Sequence, residues 1–299
     1  SVLEGVEALT HKKVKHYHLD LCDTQATHKM FEAEKPDGVI HFAALKAVGE
    51  SMEIPLEYFR NNLLSLINTM DAAAKNGCKA FVFSSSCTVY GNVETSPVNE
   101  DTPLQPAASV YGRTKQMGET IIMDAIAKTG MKAALLRYFN PAGAHPSGLI
   151  GESPRQTPQN LVPVITETAI GKRASLEVFG NDYPTRDGSC IRDFVHVCDL
   201  AAAHTLAMDY LIHNRSEDLI SIFNLGIGQG VTVLEAIAAF ESTTGMKLNY
   251  SISGRREGDV VAIYSDYTKA QKVLNWQPKY NIEDIMKTAW QWEVNRNKI

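Results

Sequence analysis

Along its first half the chain alternates short apolar runs of strand length with segments of helical period, and few folds accommodate that alternation. Val14–Leu19, Gly38–Phe42, Ala80–Ser84 and Lys132–Tyr138 read as strands. Thr24–Glu34, Glu50–Lys75 and a stretch from about Val110 to Lys128 read as helices, with Gly130 placed to cap the last. Repeated strand and helix is the pattern of βαβ units feeding a parallel sheet, so a doubly wound α/β fold is expected. Residues 91–109 carry three prolines among Asn, Asp and Ser and should cross the surface between a strand and a helix.

Beyond residue 140 the rhythm loosens. Loops at 141–160 and 180–190 separate shorter elements such as Leu161–Ile170 and Leu176–Phe179, which suits a substrate-binding part. Helices at Asp199–His213, Thr232–Glu241 and Ile282–Trp292 and a strand at Ile220–Asn224 complete the chain. The expected division is a first domain over 1–140, which takes back elements from about 190–225, and a smaller mixed α/β domain over 141–299. A chain of 299 residues, 44% hydrophobic, is long enough for both cores.

Bulk properties exclude several function classes. Net charge is −5 and basic clusters are short, as in Arg255-Arg256, so no nucleic-acid partner is expected. No apolar run approaches the roughly 18 residues that span a bilayer, and the first residues lack the features of an export signal, so no membrane association is expected. Five cysteines without a C-x-x-C pair fit reduced thiols and a cytoplasmic location.

Tyr111-Gly112-Arg113-Thr114-Lys115 opens a predicted helix, and a spacing of four puts Tyr111 and Lys115 on one face. A phenol titrating near 10 is a poor base at neutral pH, but a neighbouring ammonium favours its phenolate; bringing that titration down to neutral pH takes roughly 4 kcal/mol. Taken alone the pair also arises on ordinary surface helices. Ser84-Ser85-Ser86 ends an apolar strand at the carboxyl edge of the sheet, where a hydroxyl can bridge substrate and base, although a polar turn is the plainer reading of any one of these serines. The strand end followed 25 residues later by Tyr-x-x-x-Lys is more specific than either piece and points to hydride chemistry on an alcohol.

Another strand ends in His41-Phe42-Ala43-Ala44-Leu45-Lys46, where small residues let a flat cofactor approach and Lys46 can meet phosphate or ribose. The alternative is a tight turn with a solvated lysine, and His41 by itself reads as a packed strand residue. Arg192 and the pair Arg255-Arg256 suit bidentate phosphate contacts or ordinary surface ion pairs. Gly226-Ile227-Gly228-Gln229-Gly230 lies between a strand and a helix, but its spacing fits a loop-to-helix turn better than a dinucleotide loop. No grouping has metal-ligand spacing, so no metal is expected.

Together these motifs resemble the extended short-chain dehydrogenase/reductase family, and within it the UDP-glucose (UDP-galactose) 4-epimerase family. The segments that carry the likeness are HFAALKAVGES (41–51), FSSSCTVYG (83–91), YGRTK (111–115), LRYFNPAGAHPSG (136–148), NLVP (160–163), VFGNDYPTRDG (178–188), RDFVHVCDLA (192–201), FNLGIGQG (223–230) and REGDV (256–260). The resemblance implies a Rossmann-type fold, NAD as cofactor, a UDP-hexose substrate and a homodimer. It assigns catalysis to Tyr111, Lys115 and Ser86. Asp20, Leu21, Phe42, Ala43, Ala44, Leu45, Lys46, Asn62, Ser86, Tyr111, Lys115 and Phe139 become cofactor contacts. Lys46, Ser86, Tyr111, Asn140, Asn160, Leu161, Glu177, Val178, Phe179, Arg192, Arg256 and Asp259 become substrate contacts, and Ile263 takes the place whose bulk limits N-acetylated sugars.

The sequence departs from the pattern in places. The family's G-x-x-G-x-x-G loop and the acidic residue after its second strand are absent from these residues, so weak NAD binding is expected of the chain as it stands. Ala44, Cys87 and Val110 replace the family's usual Gly, Ala and Pro. A related sugar-nucleotide dehydratase or decarboxylase would want an acid beside the serine, where Cys87 follows Ser86. A sugar-nucleotide binding protein without turnover is the rival from outside the enzymes.

Overall fold

The computed structural model describes residues 2–154, 157–213, 215–256 and 259–298. In chain order the helices are α1 Val2–Thr10, α2 Thr24–Glu34, α3 Val48–Glu53, α4 Pro55–Lys75, α5 Val110–Thr129, α6 Leu161–Ala169, α7 Val197–Ile212, α8 Val233–Thr244, α9 Thr268–Leu274 and α10 Ile282–Arg296. The strands are β1 Gly38–His41, β2 Ala80–Ser86, β3 Lys132–Tyr138, β4 Asn140–Ala142, β5 Leu176–Phe179, β6 Ile191–Arg192, β7 Phe194–His196, β8 Ile220–Leu225, β9 Val231–Thr232, β10 Tyr250–Ser253 and β11 Ala262–Ile263.

A parallel sheet ordered β1-β2-β3-β8 organises the molecule. Its central strands are buried on both faces, which is why they read as unbroken apolar runs. Alternate residues serve opposite layers: Phe81, Phe83, Ala133 and Leu135 pack beneath α2, α4 and α5, while Ala80, Val82, Ala134 and Leu136 pack beneath α7 and α9. Helices on both faces of a parallel sheet make this a Rossmann-type doubly wound fold. A separate core joins α6, α8 and α10 through Ile165, Phe240, Ile285 and Met286, beside the β5–β10 pair.

Local chemistry sets most boundaries. Ser109 caps α5 by accepting from the Gly112 N–H at 3.0 Å, and Gly130 ends it at φ 72°. Thr232 with Glu235, and Asn281 with Asp284, form capping boxes on α8 and α10.

Two expectations are corrected. The predicted helix Glu50–Lys75 is two helices, because Pro55 lacks an N–H and disfavours helical geometry at Ile54, which sits at φ −124° and ψ 57°. Val14–Leu19 forms no strand: no strand among the described residues pairs with it, and β1 pairs only with β2. An apolar alternation becomes a strand only where a ladder partner lies alongside.

Candidate active site

The carboxyl ends of β1, β2 and β3 open toward the first turn of α5. Ser86 is the last residue of β2; its hydroxyl accepts from the Thr88 N–H at 3.2 Å and lies beside the Tyr111 phenol, whose titration it acts to lower. One turn along α5, Lys115 is buried; its Nζ donates to the Ser84 carbonyl at 2.6 Å, 4.9 Å from the Phe83 ring centroid and 5.8 Å from that of Tyr111. Burial pulls the Lys115 ammonium down to about 8, opposed by the Glu119 carboxylate. Burial pushes the Tyr111 phenol well above its ordinary range, opposed by the neighbouring Ser86 hydroxyl. The pair is therefore poised so that added positive charge at the cleft favours phenolate.

The loop after β1 is stapled to this centre by Asn62 of α4. Its Oδ1 accepts from the Leu45 N–H at 2.7 Å, and its Nδ2 donates to the Leu45 carbonyl and to the Thr114 hydroxyl, each at 3.0 Å. Ala43 and Ala44 are half-buried beside this staple, and Lys46 reaches across to Glu152 at 2.9 Å. Phe42 is 55% exposed and lies 4.6 Å from the His204 ring. His41 stacks against Phe81 and Phe83, and burial lowers its titration to about 3, which makes it a neutral packing residue.

A second group forms where β6 meets β11. Arg192 donates to the Ile191 and Val260 carbonyls at 2.9 and 2.7 Å and to Asp259 at 3.3 Å. Arg256 donates to the same Asp259 oxygen at 2.8 Å with its guanidinium 5.1 Å from the Phe179 ring. One carboxylate thus holds two guanidiniums side by side, the arrangement that a diphosphate needs. Glu257 and Gly258, between them in sequence, lie outside the described residues. The two groups meet at a buried cluster containing Cys87, Phe139 and Ile263, so Ile263 stands close behind the serine end of β2.

Other expected residues lie around the rim or apart. Asn140 begins β4 beside Asp193, whose carbonyl its N–H meets at 2.9 Å. Asn160 and Leu161 stand at the start of α6. Glu177 is exposed on β5, whereas Val178 is 1% exposed, so only its backbone can meet a ligand. Asp20 and Leu21 are tied to their own turn and to Asn68 of α4: Asp20 accepts from Cys22 at 2.8 Å and Leu21 from Asn68 at 2.9 Å.

Three features escaped the reading of the sequence. Asp193, fully buried, accepts from the N–H groups of Ile227, Gly228 and Ser265 and from the Ser265 hydroxyl, at 2.7 to 3.2 Å. The glycine-rich turn at 226–230 thus wraps a carboxylate of the protein itself, and a Cβ on Gly226 would lie 2.3 Å from it. Thr88 has a buried hydroxyl without a hydrogen-bond partner, next to Ser86. Glu119, at the i+4 position from Lys115, forms an ion pair of 2.7 Å with Arg137. Only the last carried a signal, its helical spacing from Tyr111 and Lys115.

The family model described as GDP-mannose 4,6 dehydratase matches residues 2–289. A UDP-glucose 4-epimerase of Bacillus subtilis (strain 168) is 45% identical over 292 residues, 97% of this chain and 85% of the relative. One from Drosophila melanogaster is 44% identical over 97% of this chain and 83% of the relative. Among solved structures, the UDP-glucose 4-epimerase of Bifidobacterium longum in complex with NAD+ and UDP superposes with a TM-score of 0.94 at 40% identity, over 99% of this chain and 87% of that one. The Stenotrophomonas maltophila enzyme with bound NAD and formylated UDP-arabinopyranose gives 0.94 at 41%, over 99% and 88%. On sequence and fold alike, the chain belongs to the UDP-glucose 4-epimerase family.

Proposed function

We propose that this chain interconverts UDP-glucose and UDP-galactose, with NAD as its cofactor. The observation that carries the reading is the convergence of Tyr111, Lys115 and Ser86 at the carboxyl edge of the sheet, the place where open α/β sheets bind ligands. Bound NAD supplies the acceptor and donor of the sugar C4 hydride and, oxidised, a positive ring. The residues present fit that group: Ala43 and Ala44 allow a close approach, and the Lys115 ammonium, with one hydrogen given to Ser84, has further donors for ribose hydroxyls.

Tyr111 removes the proton of the sugar 4-hydroxyl as C4 is oxidised, and Ser86 hydrogen-bonds the same oxygen. Lys115 favours the Tyr111 phenolate by its charge. The 4-keto sugar turns about its link to the diphosphate, Arg192 and Arg256 hold that diphosphate throughout, and Tyr111 returns its proton when C4 is reduced from the opposite face. No net oxidation occurs. Ile263 forms the wall that limits the sugar. Beside Ser86, the Cys87 thiol is pushed up to about 12 by burial, so it offers no acid for the elimination a dehydratase performs.

In this reading residues 1–140, with the elements returning from about 190–225, form the NAD-binding domain, and the rest of 141–299 forms the UDP-sugar domain. The chain is cytoplasmic, a placement that its free cysteines and the lack of any described helix long and apolar enough to cross a membrane support. It pairs as a homodimer through the outer face of α4 and α5, where Leu56, Leu64, Ile67, Met117 and Met123 are exposed.

The test is conversion of UDP-galactose with NAD supplied, by these 299 residues and by the same chain extended with a glycine-rich βα unit. Tyr111→Phe should keep UDP binding and lose turnover. Conversion by neither form, or full activity in Tyr111→Phe, would overturn the reading.

A further inference from the structure

The side of α5 that carries Tyr111 and Lys115 continues one turn further to Glu119, and each of the three engages the end of β2. Tyr111 faces the Ser86 hydroxyl, Lys115 donates to the Ser84 carbonyl at 2.6 Å, and Glu119 accepts from the Ser85 hydroxyl at 2.5 Å. Glu119 is 1% exposed and also receives Arg137 Nε and Nη2 at 2.9 and 2.7 Å, a bidentate clamp from β3. Arg137 stands opposite Ser85 in the β2–β3 register, so the clamp closes on the residue between the two that meet the lysine and the tyrosine. Tyr90 accepts from Arg137 at 3.3 Å and donates to Asn224 at 2.6 Å, which fixes the far side of the guanidinium.

A buried ion pair is weak evidence for stability, because desolvation offsets much of its attraction, so its place beside the reacting groups asks for another reason. We propose that Glu119 is a positioning residue of the reaction: locked by Arg137 and Ser85, its carboxylate registers α5 on β2 and holds Lys115 in its charged state beneath the Tyr111 phenol. The inference rests on the roles proposed above for Tyr111 and Lys115. Around Lys115 the titratable or charged groups are Tyr111 and Glu119 on α5, His41 on β1, Arg137 and Tyr138 on β3, and Tyr58 on α4 near the phenol. His41 is neutral, and burial pushes Tyr58 and Tyr138 upward, so both stay uncharged at neutral pH. Beyond them the Glu50 carboxylate accepts from the Tyr58 hydroxyl at 2.6 Å, and Glu119 is the carboxylate that acts on Lys115, opposing the burial that strips it of its proton.

The experiment compares Glu119→Gln, Glu119→Asp and Ser85→Ala in the pH profile of kcat, in UDP affinity, and in the pH titration of Lys115. The last is followed by NMR of isotope-labelled lysine and assigned by its absence from Lys115→Met, a readout that needs no turnover. In Glu119→Gln a negative charge is gone and Arg137 is left uncompensated, so the Lys115 titration and the alkaline limb of kcat should move to lower pH by about half a pH unit or more. In the same variant kcat should fall about tenfold, with UDP affinity within about twofold of wild type. Glu119→Asp and Ser85→Ala keep both charges; kcat should fall several-fold while the alkaline limb stays in place. A folded Glu119→Gln that titrates as wild type refutes the electrostatic role. If that variant does not fold, Glu119→Asp and Ser85→Ala decide, and wild-type kcat in both overturns the positioning role. If wild type turns over no UDP-galactose, the proposed function fails, while the lysine titration still tests Glu119.

Discussion

Lys115→Met is expected to make the protein more stable while abolishing its chemistry. Lys115 is 4% exposed, and burial lowers its titration from 10.5 to about 8. With the titration brought down that far, keeping this ammonium charged in the folded state near neutral pH costs roughly 3 kcal/mol. Methionine fills a similar volume without the charge. Against that gain stands the lost hydrogen bond to the Ser84 carbonyl, worth about 1 kcal/mol, so the net expectation at about pH 7 is a protein more stable by about 2 kcal/mol.

The pH dependence makes the argument specific. The native protein releases the Lys115 proton near 8 and the unfolded chain near 10.5, so between those values the unfolded state binds more protons and wild-type stability rises with pH. Lys115→Met lacks that rise, and its advantage should shrink across the window. Urea unfolding of both proteins from about pH 7 to pH 10.5 reads the difference, in which the other titrating groups cancel. Lower stability in the variant near neutral pH, or a gap that does not change with pH, would refute the reasoning. Turnover in the variant should fall at least about a hundredfold, the usual scale for losing a group that assists proton transfer.

His41 gives an acid counterpart: its native titration is lowered to about 3 against 6.5 unfolded, so stability is lost as pH falls from about 6.5 toward 3. His41→Phe, placed against Phe81 and Phe83, should flatten the fall of urea midpoint over that range, and an unchanged acid profile counts against a buried neutral histidine. Asp193→Ala strands three backbone N–H groups and the Ser265 hydroxyl, an expected loss of roughly 3 kcal/mol or more in urea unfolding; a loss below about 1 kcal/mol would mean the turn does not depend on it. Ile67→Lys should convert a dimer to monomers in sedimentation with little change in the monomer's fold, and a dimer that survives it would place the interface elsewhere.

Much of the fold could be read from the chain because the relevant interactions are local. Helix starts follow from Ser109, Thr232 and Asn281, which satisfy backbone groups within three residues, and the helix end at Gly130 follows from its left-handed backbone. Unbroken apolar runs in β2 and β3 mark strands buried on both faces. The Tyr111–Lys115 pair is local too, since four residues of helix put both on one side. Where partners are distant, local reading fails. Val14–Leu19 has the composition of a strand but no ladder partner among the described residues, and Val178 looks like a contact residue until its side chain is seen in the second core.

By itself, then, the sequence determined most of the longer elements, the parallel α/β class and the segments from which a site would be drawn. The tertiary structure alone decided that Arg192 and Arg256 share Asp259, that Ile263 backs onto Cys87 and Phe139, that the glycine turn closes on Asp193, and that Glu119 and Arg137 lock α5 to the sheet. The physical reason is that side-chain spacing along one element follows from its helical or pleated period. Which carboxylate meets which guanidinium across the molecule depends on strand order and register, and these emerge only when the whole sheet is assembled.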